Sequence, residues 1–169
     1  KKIVRWFLAR TPKNSQLSII TFNDSVHYLG KSEWLSVSTD EILKDLYKEL
    51  DSIIPSGSTN LHKGLQAVSR LNATDLYIIT DGLPTAGRSN YAHLNPLSGC
   101  GSLFGKSKSI SGKCRVELFR QSIKDASLTD VKVNIVLLPI EGDPNAINEY
   151  WSWSAATGGL VISPAVNWP

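Results

Sequence analysis

Two side chains with oxygen donors, those of Thr59 and Asp81, have the chemical type and the placement in this sequence to hold a cation. Thr59 lies in a turn between two predicted helices, and Asp81 directly follows a predicted strand. In parallel sheets, ligands bind beyond the carboxyl ends of the strands, and the alternating chain direction places both residues at that end. Because no His or Cys lies near them in sequence, such a site favours Mg2+, Mn2+ or Ca2+ over zinc.

Five short segments rich in apolar and β-branched residues are the predicted strands that would position these side chains. They lie at 17–22, 26–29, 76–80, 131–138 and 160–163. The first two form a hairpin, because the turn-forming residues Asn23, Asp24 and Ser25 separate them. The segments at 76–80 and 131–138 are largely apolar, which is typical of parallel strands buried on both faces.

Helical spacing of apolar residues predicts helices at 3–10, 39–53, 61–71, 116–126 and from Asp143 to Ala156. Ser38 and Glu41 form a capping box, which predicts Ser38 as the N-cap of the second helix. Because strands alternate with helices, we expect an α/β fold with a doubly wound, mostly parallel sheet, one antiparallel edge strand and a single domain over 1–169. Residues 84–112 show no periodicity and predict a long flexible loop within that domain.

The segments that carry Thr59 and Asp81 also match the pattern of a known family. Residues 56–61 (SGSTNL) and 77–82 (YIITDG) resemble the second and third motifs of the von Willebrand factor type A domain, and 22–25 (FNDS) resembles its β2–β3 turn. The element order is similar over nearly the whole chain. In that family these motifs belong to the metal-ion-dependent adhesion site. The resemblance therefore implies that Thr59 and Asp81 serve a divalent cation, whose open position accepts a carboxylate of a protein partner.

One motif of that family, Asp-x-Ser-x-Ser at the end of the central strand, does not occur in this sequence. The resemblance places the absent strand between the strands at 17–22 and 76–80. Its loss would leave two rows of backbone groups unpaired, at about 1–3 kcal/mol for each buried group. We therefore expect the polypeptide to begin upstream of Lys1, with the first strand and most of the first helix there. Cation binding is expected on the condition that this upstream part contains the motif.

The end of the chain shows a narrower likeness. Residues 138–144 (LPIEGDP) and 163–169 (SPAVNWP) resemble a group of bacterial proteins with this domain, often in exported or membrane-anchored chains. This resemblance favours an extracytoplasmic or membrane-anchored parent chain. Cys100 and Cys114 could pair in an oxidising compartment, and closing a loop of this length would stabilise the fold by about 3 kcal/mol. The cysteines alone leave the redox compartment open.

Composition excludes several classes of function. Hydrophobic residues make up 41% and charged residues 20% of the chain, which is typical of a globular domain. The net charge of +3 is too small for an electrostatic nucleic-acid surface. No apolar run reaches the roughly 18 residues that a membrane span requires. We therefore expect a protein partner, no nucleic acid and no membrane span within this segment.

No catalytic grouping of residues is visible, so we expect no enzyme. The sequence GKS at 105–107 resembles the end of a phosphate-binding loop, but Cys100 stands where the first glycine is needed. Two alternatives remain: a Mg2+-dependent hydrolase or nucleotide-handling α/β domain that uses the same crevice, and a structural domain without metal. Asp24 is interpreted as a turn residue, and the indoles of Trp6, Trp151 and Trp153 as packing groups.

Overall fold

The computed structural model describes residues 1–13, 15–36, 39–91, 100, 110–139, 143–165 and 168. These residues form a mixed α/β protein. Its helices are α1 (Lys2–Leu8), α2 (Asp40–Ser52), α3 (Leu61–Ser69), α4 (Gly112–Ala126) and α5 (Ala146–Ala156). Its strands are β1 (Gln16–Leu17), β2 (Ile20–Phe22), β3 (Val26–Tyr28), β4 (Leu35–Ser36), β5 (Asp75–Thr80), β6 (Lys132–Leu137) and β7 (Val161–Ile162). Within these ranges no helix combines the length and the apolar character needed to cross a membrane.

The last three strands form a parallel sheet with β6 in the centre, between β5 and β7. β5 pairs with β6 over its whole length, from Asp75 opposite Lys132 to Thr80 opposite Leu137. Four of the six side chains of β6 are buried, as its apolar composition requires. The prediction of parallel strands at 76–80 and 131–138 is therefore confirmed.

The predicted first strand at 17–22 is divided into two short strands. β2 pairs antiparallel with β3 around the predicted turn, whereas β1 pairs antiparallel with β4, a strand that the sequence did not predict. A single backbone hydrogen bond, from the Leu29 N–H to the Ile19 carbonyl at 2.9 Å, spans the break. The chain then turns at Gly30, whose φ of +89° lies in the left-handed region that favours glycine. This turn sends β4 back to β1.

The strands form three separate sheets, and the single doubly wound sheet expected from the sequence is not seen among the described residues. The hairpin strands β2 and β3 contact α3, which packs against the parallel sheet. Among the described residues they do not pair with a strand of that sheet. Phe22 of β2 packs against the apolar core of that region, and its ring lies so close to Gly64 of α3 that an added Cβ would be 3.0 Å away. What is established is a mixed α/β fold with a small parallel sheet and two antiparallel pairs.

Two clusters of buried apolar side chains stabilise these elements. The larger one, which we call the sheet core, joins α3, α4 and α5 to the parallel sheet. Its largest fully buried members are Leu61, Leu65, Leu83, Phe119, Ile135 and Tyr150. The smaller one, which we call the leucine core, joins the hairpin region to α2. It consists of Leu29, Leu35, Leu46 and Leu50.

The N-cap of α2 is Thr39, one residue later than the Ser38 predicted from the capping box. The Thr39 hydroxyl accepts a hydrogen bond from the Ile42 N–H at 3.5 Å. Ser38 itself lies outside the described residues. The predicted helix at 39–53 agrees with α2 to within one residue at either end.

The last helix begins later than the sequence predicted. α5 starts at Ala146 with Asn145 at the N-cap position, rather than at the predicted Asp143-Pro144 start. The Asp143 carboxylate does not cap this helix, because it accepts a hydrogen bond from the Leu83 N–H instead. The helix ends at Ala156 as predicted, and Gly158, two residues later, has a φ of +73°.

Most of the predicted loop at 84–112, namely 92–99 and 101–109, lies outside the described residues, and so does the GKS segment. Cys100 forms a disulfide with Cys114 in the first turn of α4, and their Cα atoms lie 5.2 Å apart. The pairing that the sequence left open is therefore present. Ser111 is the N-cap of α4, and its hydroxyl accepts a hydrogen bond from the Cys114 N–H at 3.2 Å.

Candidate functional site

The segment that contains Thr59 is bound to the loop that follows Asp81. The Thr59 N–H donates to the Thr85 hydroxyl at 2.9 Å. In return, the N–H groups of Thr85 and Ala86 donate to the Thr59 carbonyl at 3.0 and 3.1 Å. Thr59 is half-buried and Asp81 is exposed at the carboxyl end of β5. The structure thus brings these two segments together at the end of the sheet where ligands of α/β proteins bind.

Asp24 in the hairpin turn connects that turn to the Thr59 segment. Its carboxylate accepts hydrogen bonds from the Ser58 hydroxyl and from the Ser58 N–H. These bonds hold the pKa of Asp24 below its usual value. Gly57 permits this approach, because its φ is +76° and a Cβ there would lie 2.5 Å from the Asp24 carboxylate. The sequence predicts Asp24 as a turn residue, and the structure adds that it fixes the position of the neighbouring turn.

Gly82, the residue after Asp81, is held through its carbonyl by two hydroxyl groups. Those of Thr80 and Tyr150 both donate to the Gly82 carbonyl, each at 3.0 Å. Tyr150 is buried in the sheet core, and burial raises the pKa of its phenol, which therefore stays protonated and remains a donor. Tyr150 lies on α5, so this bond connects α5 to the end of β5.

Arg115 and Asp143 hold the backbone N–H and carbonyl of the next residue, Leu83, and sequence reasoning missed both. The Asp143 carboxylate accepts a hydrogen bond from the Leu83 N–H at 2.7 Å. Arg115, on α4, donates to the Leu83 carbonyl and forms an ion pair with Asp143 at 2.8 Å. Only 6% of the Asp143 side chain and 19% of the Arg115 side chain are exposed. No local signal marked this pair, because a carboxylate before a proline is also typical of a helix start.

The indoles of Trp6, Trp151 and Trp153 were all predicted to be packing groups, but their exposure in the structure differs. Trp153 is buried, and its ring centroid lies 5.8 Å from that of Phe119. Trp6 is half-buried and contacts Trp168, with centroids 5.2 Å apart. Trp151 is 60% exposed, so the prediction is wrong for this residue. It projects from the same face of α5 as the exposed Ile147, one helical turn earlier.

The donor chemistry of this site suits a hard divalent cation, but the number of donors is small. Asp81 contributes a carboxylate without hydrogen-bond or ion-pair partner among the described residues, and Thr59 contributes a hydroxyl. Asp24 is engaged by Ser58, and Asp143 by Arg115. The described part of the chain contains no group of three or more His, Cys, Asp or Glu side chains placed to hold a metal ion. A cation here would therefore need further oxygen ligands.

Comparison of this sequence with models of protein families and with curated proteins found no match. The geometry at the carboxyl end of β5, together with the motifs in the sequence, is therefore the basis for inferring a function.

Proposed function

We propose that this chain forms most of a von Willebrand factor A-like domain that recognises a protein partner. Thr59 and Asp81 would serve a divalent cation, Mg2+, Mn2+ or Ca2+, and the cation would take a carboxylate of the partner as a further ligand. The observation that carries this proposal is the hydrogen bonding between the Thr59 segment and the loop after Asp81. It supports a shared site at the ligand-binding end of the parallel sheet.

The proposal includes a doubly wound sheet in which one further strand lies between β2 and β5. It is supported by the outer edge of β5, which among the described strands pairs with β6 alone. Tyr77, in the middle of β5, is 53% exposed. A strand at this edge would pair the free backbone groups of β5. Cation binding is conditional on an Asp-x-Ser-x-Ser motif at the end of that strand, which would supply the missing oxygen donors.

Calorimetric titration of the full-length protein with Mg2+, Mn2+ and Ca2+ tests the proposal. We expect at least one of these ions to bind, and the Asp81→Ala variant to weaken its affinity more than about tenfold, since the carboxylate is a charged ligand. Asp75→Ala is the matched control, because Asp75 is an exposed carboxylate at the opposite end of the same strand. Binding of a partner protein should be lost in EDTA. Equal affinities for the two variants would exclude Asp81 from the site.

A structural domain without metal is the second candidate. It is favoured by the small number of free acidic side chains near Asp81 in the described part of the chain. The absence of binding by all three ions in the full-length protein would establish it over the adhesion-type module. Mg2+-dependent hydrolysis of p-nitrophenyl phosphate that is lost in Asp81→Ala would instead favour a hydrolase in the same crevice.

A further inference from the structure

The backbone groups of Gly82 and Leu83, the two residues after Asp81, are fixed by four side chains from different parts of the fold. Thr80 of β5 and Tyr150 of α5 bind the Gly82 carbonyl. Asp143, just before α5, accepts a hydrogen bond from the Leu83 N–H, which belongs to the same peptide group as the Gly82 carbonyl, and Arg115 of α4 donates to the Leu83 carbonyl. Hydrogen bonds that involve a charged partner are stronger than those between neutral groups, so the Arg115–Asp143 pair is the stronger part of this arrangement.

Gly82 shows how closely the pair approaches the backbone. A Cβ at position 82 would lie 2.6 Å from the Asp143 carboxylate and 3.1 Å from the Arg115 guanidinium. The carboxylate cannot move away easily, because it is held by the Leu83 N–H and by Arg115 together. The ion pair therefore requires a glycine directly after Asp81.

Asp81 itself depends on this backbone for its position. Its side chain is exposed, and no hydrogen bond or ion pair of the described residues restrains its carboxylate. The backbone therefore fixes only where the Cβ of Asp81 lies, and the ion pair holds that backbone two residues further on, at Leu83, so the pair limits the region that the carboxylate can reach. We infer that Arg115 and Asp143 are positioning residues for Asp81, an inference that rests on the proposed cation site.

Amide hydrogen exchange of the full chain, measured by NMR, tests the positioning role without any cation. We expect exchange at the Leu83 N–H to become about tenfold faster or more in Asp143→Ala, because a hydrogen bond to a charged acceptor is lost. Asp143→Asn keeps an oxygen acceptor and should give an intermediate rate. If Asp143 only filled space, the asparagine and alanine variants would give the same exchange rate at the Leu83 N–H.

The ion pair of Arg120 and Glu149 supplies the matched control. It also joins α4 to α5, with two hydrogen bonds at 3.1 and 2.7 Å, but it does not contact the turn after Asp81. Glu149→Gln should leave the Leu83 exchange rate unchanged. If Glu149→Gln accelerates that exchange as much as Asp143→Ala does, the inference is wrong.

Binding of Mn2+, followed by its electron paramagnetic resonance signal in the full-length protein, is the second readout. We expect Asp143→Ala to weaken Mn2+ binding by about 10- to 100-fold, as is usual when a group that orients a ligand is removed, and Glu149→Gln to have no effect. Absence of Mn2+ binding in the unmodified protein would overturn the proposed function, while the exchange rates would still decide the positioning role. Unchanged exchange at Leu83 in Asp143→Ala would overturn the inference.

Removal of one partner from a buried ion pair can prevent folding, because it leaves a buried charge without its counterpart. The double variant Arg115→Met plus Asp143→Leu avoids this problem, since it removes both charges and keeps apolar volume. We expect this variant to fold and to show fast exchange at Leu83. Exchange as slow as in the unmodified protein would contradict the positioning role.

Discussion

The sheet region, which comprises α3–α5 and β5–β7, and the N-terminal region, which comprises α1, α2 and β1–β4, bury their apolar side chains in different ways. The sheet core draws on three helices and the strands β5 and β6, and the rings of Phe119 and Tyr150 pack edge to face in it with centroids 4.8 Å apart. The leucine core consists of four side chains surrounded by residues that are only partly buried. Since hydrophobic stabilisation scales with the apolar area removed from water, the N-terminal region should open before the sheet region.

The contacts of the N-terminal helix α1 also indicate that this region opens first. α1 is joined to α2 by an ion pair between Arg5 and Asp51, whose side chains are 42% and 56% exposed. Exposed pairs of this kind contribute about 1 kcal/mol or less. Phe7 of α1 contacts Tyr77 of β5, with ring centroids 5.0 Å apart. This contact and that of Phe22 with the sheet core attach the N-terminal region to the sheet region through side chains.

The surroundings of the candidate site draw on both regions. Asp81 and the side chains that fix its backbone belong to the sheet region. Asp24, which holds the turn next to Thr59, belongs to the N-terminal region. Opening of the N-terminal region would release the Asp24–Ser58 connection and leave the turn after Asp81 in place. The Thr59 segment would then lose its connection to Asp24 and keep its hydrogen bonds to Thr85 and Ala86.

The largest effect should come from removing an aromatic side chain of the sheet core. We expect Phe119→Ala to lower the free energy of unfolding by about 3–5 kcal/mol, and Leu46→Ala in the leucine core by about 2–3 kcal/mol, because the smaller cluster can collapse around the missing group. Urea denaturation of both variants measures the difference. An equal or larger loss in Leu46→Ala would contradict the ranking of the two regions.

Reduction of the disulfide should have the next largest effect. Cys114 is completely buried at the start of α4, so its bond to Cys100 stabilises the sheet region. We expect the double variant Cys100→Ser and Cys114→Ser to lose about 3 kcal/mol of unfolding free energy. Thermal unfolding with and without dithiothreitol measures this loss, and the double variant, which the reductant cannot change, is the control. A stability unaffected by reductant would show that the bond constrains little in the unfolded chain.

The smallest effect concerns Asp24 and depends on pH. Hydrogen bonds from Ser58 lower its pKa below 3.8 in the folded protein. The folded state therefore binds this proton less readily than the unfolded state. The contribution to stability is present above about pH 4 and is lost as the pH falls through the folded pKa. An NMR titration of the Ser58 amide from pH 7 to pH 2 should show this transition, and Asp24→Asn should abolish it. A transition that persists in Asp24→Asn would assign it to another carboxylate.

Elements that pack against the sheet core were predicted well from the sequence. The strands at 76–80 and 131–138 formed where apolar spacing placed them, because burial imposes that pattern. The helix predicted at 116–126 also formed, but it begins earlier, at Gly112. β4 was not predicted, since its strand follows a polar segment and is only two residues long. The division of the first strand likewise depends on the turn at Gly30, which local pattern does not reveal.

The site was predictable in part. Motif spacing indicated that Thr59 and Asp81 lie at one end of the sheet, and hydrogen bonds join the segments that carry them. That Thr59 and Asp81 bind a cation stays a prediction. The Arg115–Asp143 pair could not be predicted, because Asp143 lies 60 residues from the Leu83 N–H that it binds. Nothing in the local sequence specifies a contact of that range.

The disulfide between Cys100 and Cys114 closes a ring whose entry and exit lie 5.2 Å apart, measured between Cα atoms. Arg115 follows Cys114 directly along the chain, so this covalent bond anchors the residue whose guanidinium donates to the Leu83 carbonyl. A disulfide at the start of α4 is therefore also a redox-sensitive attachment for one end of the contacts that surround the residues after Asp81.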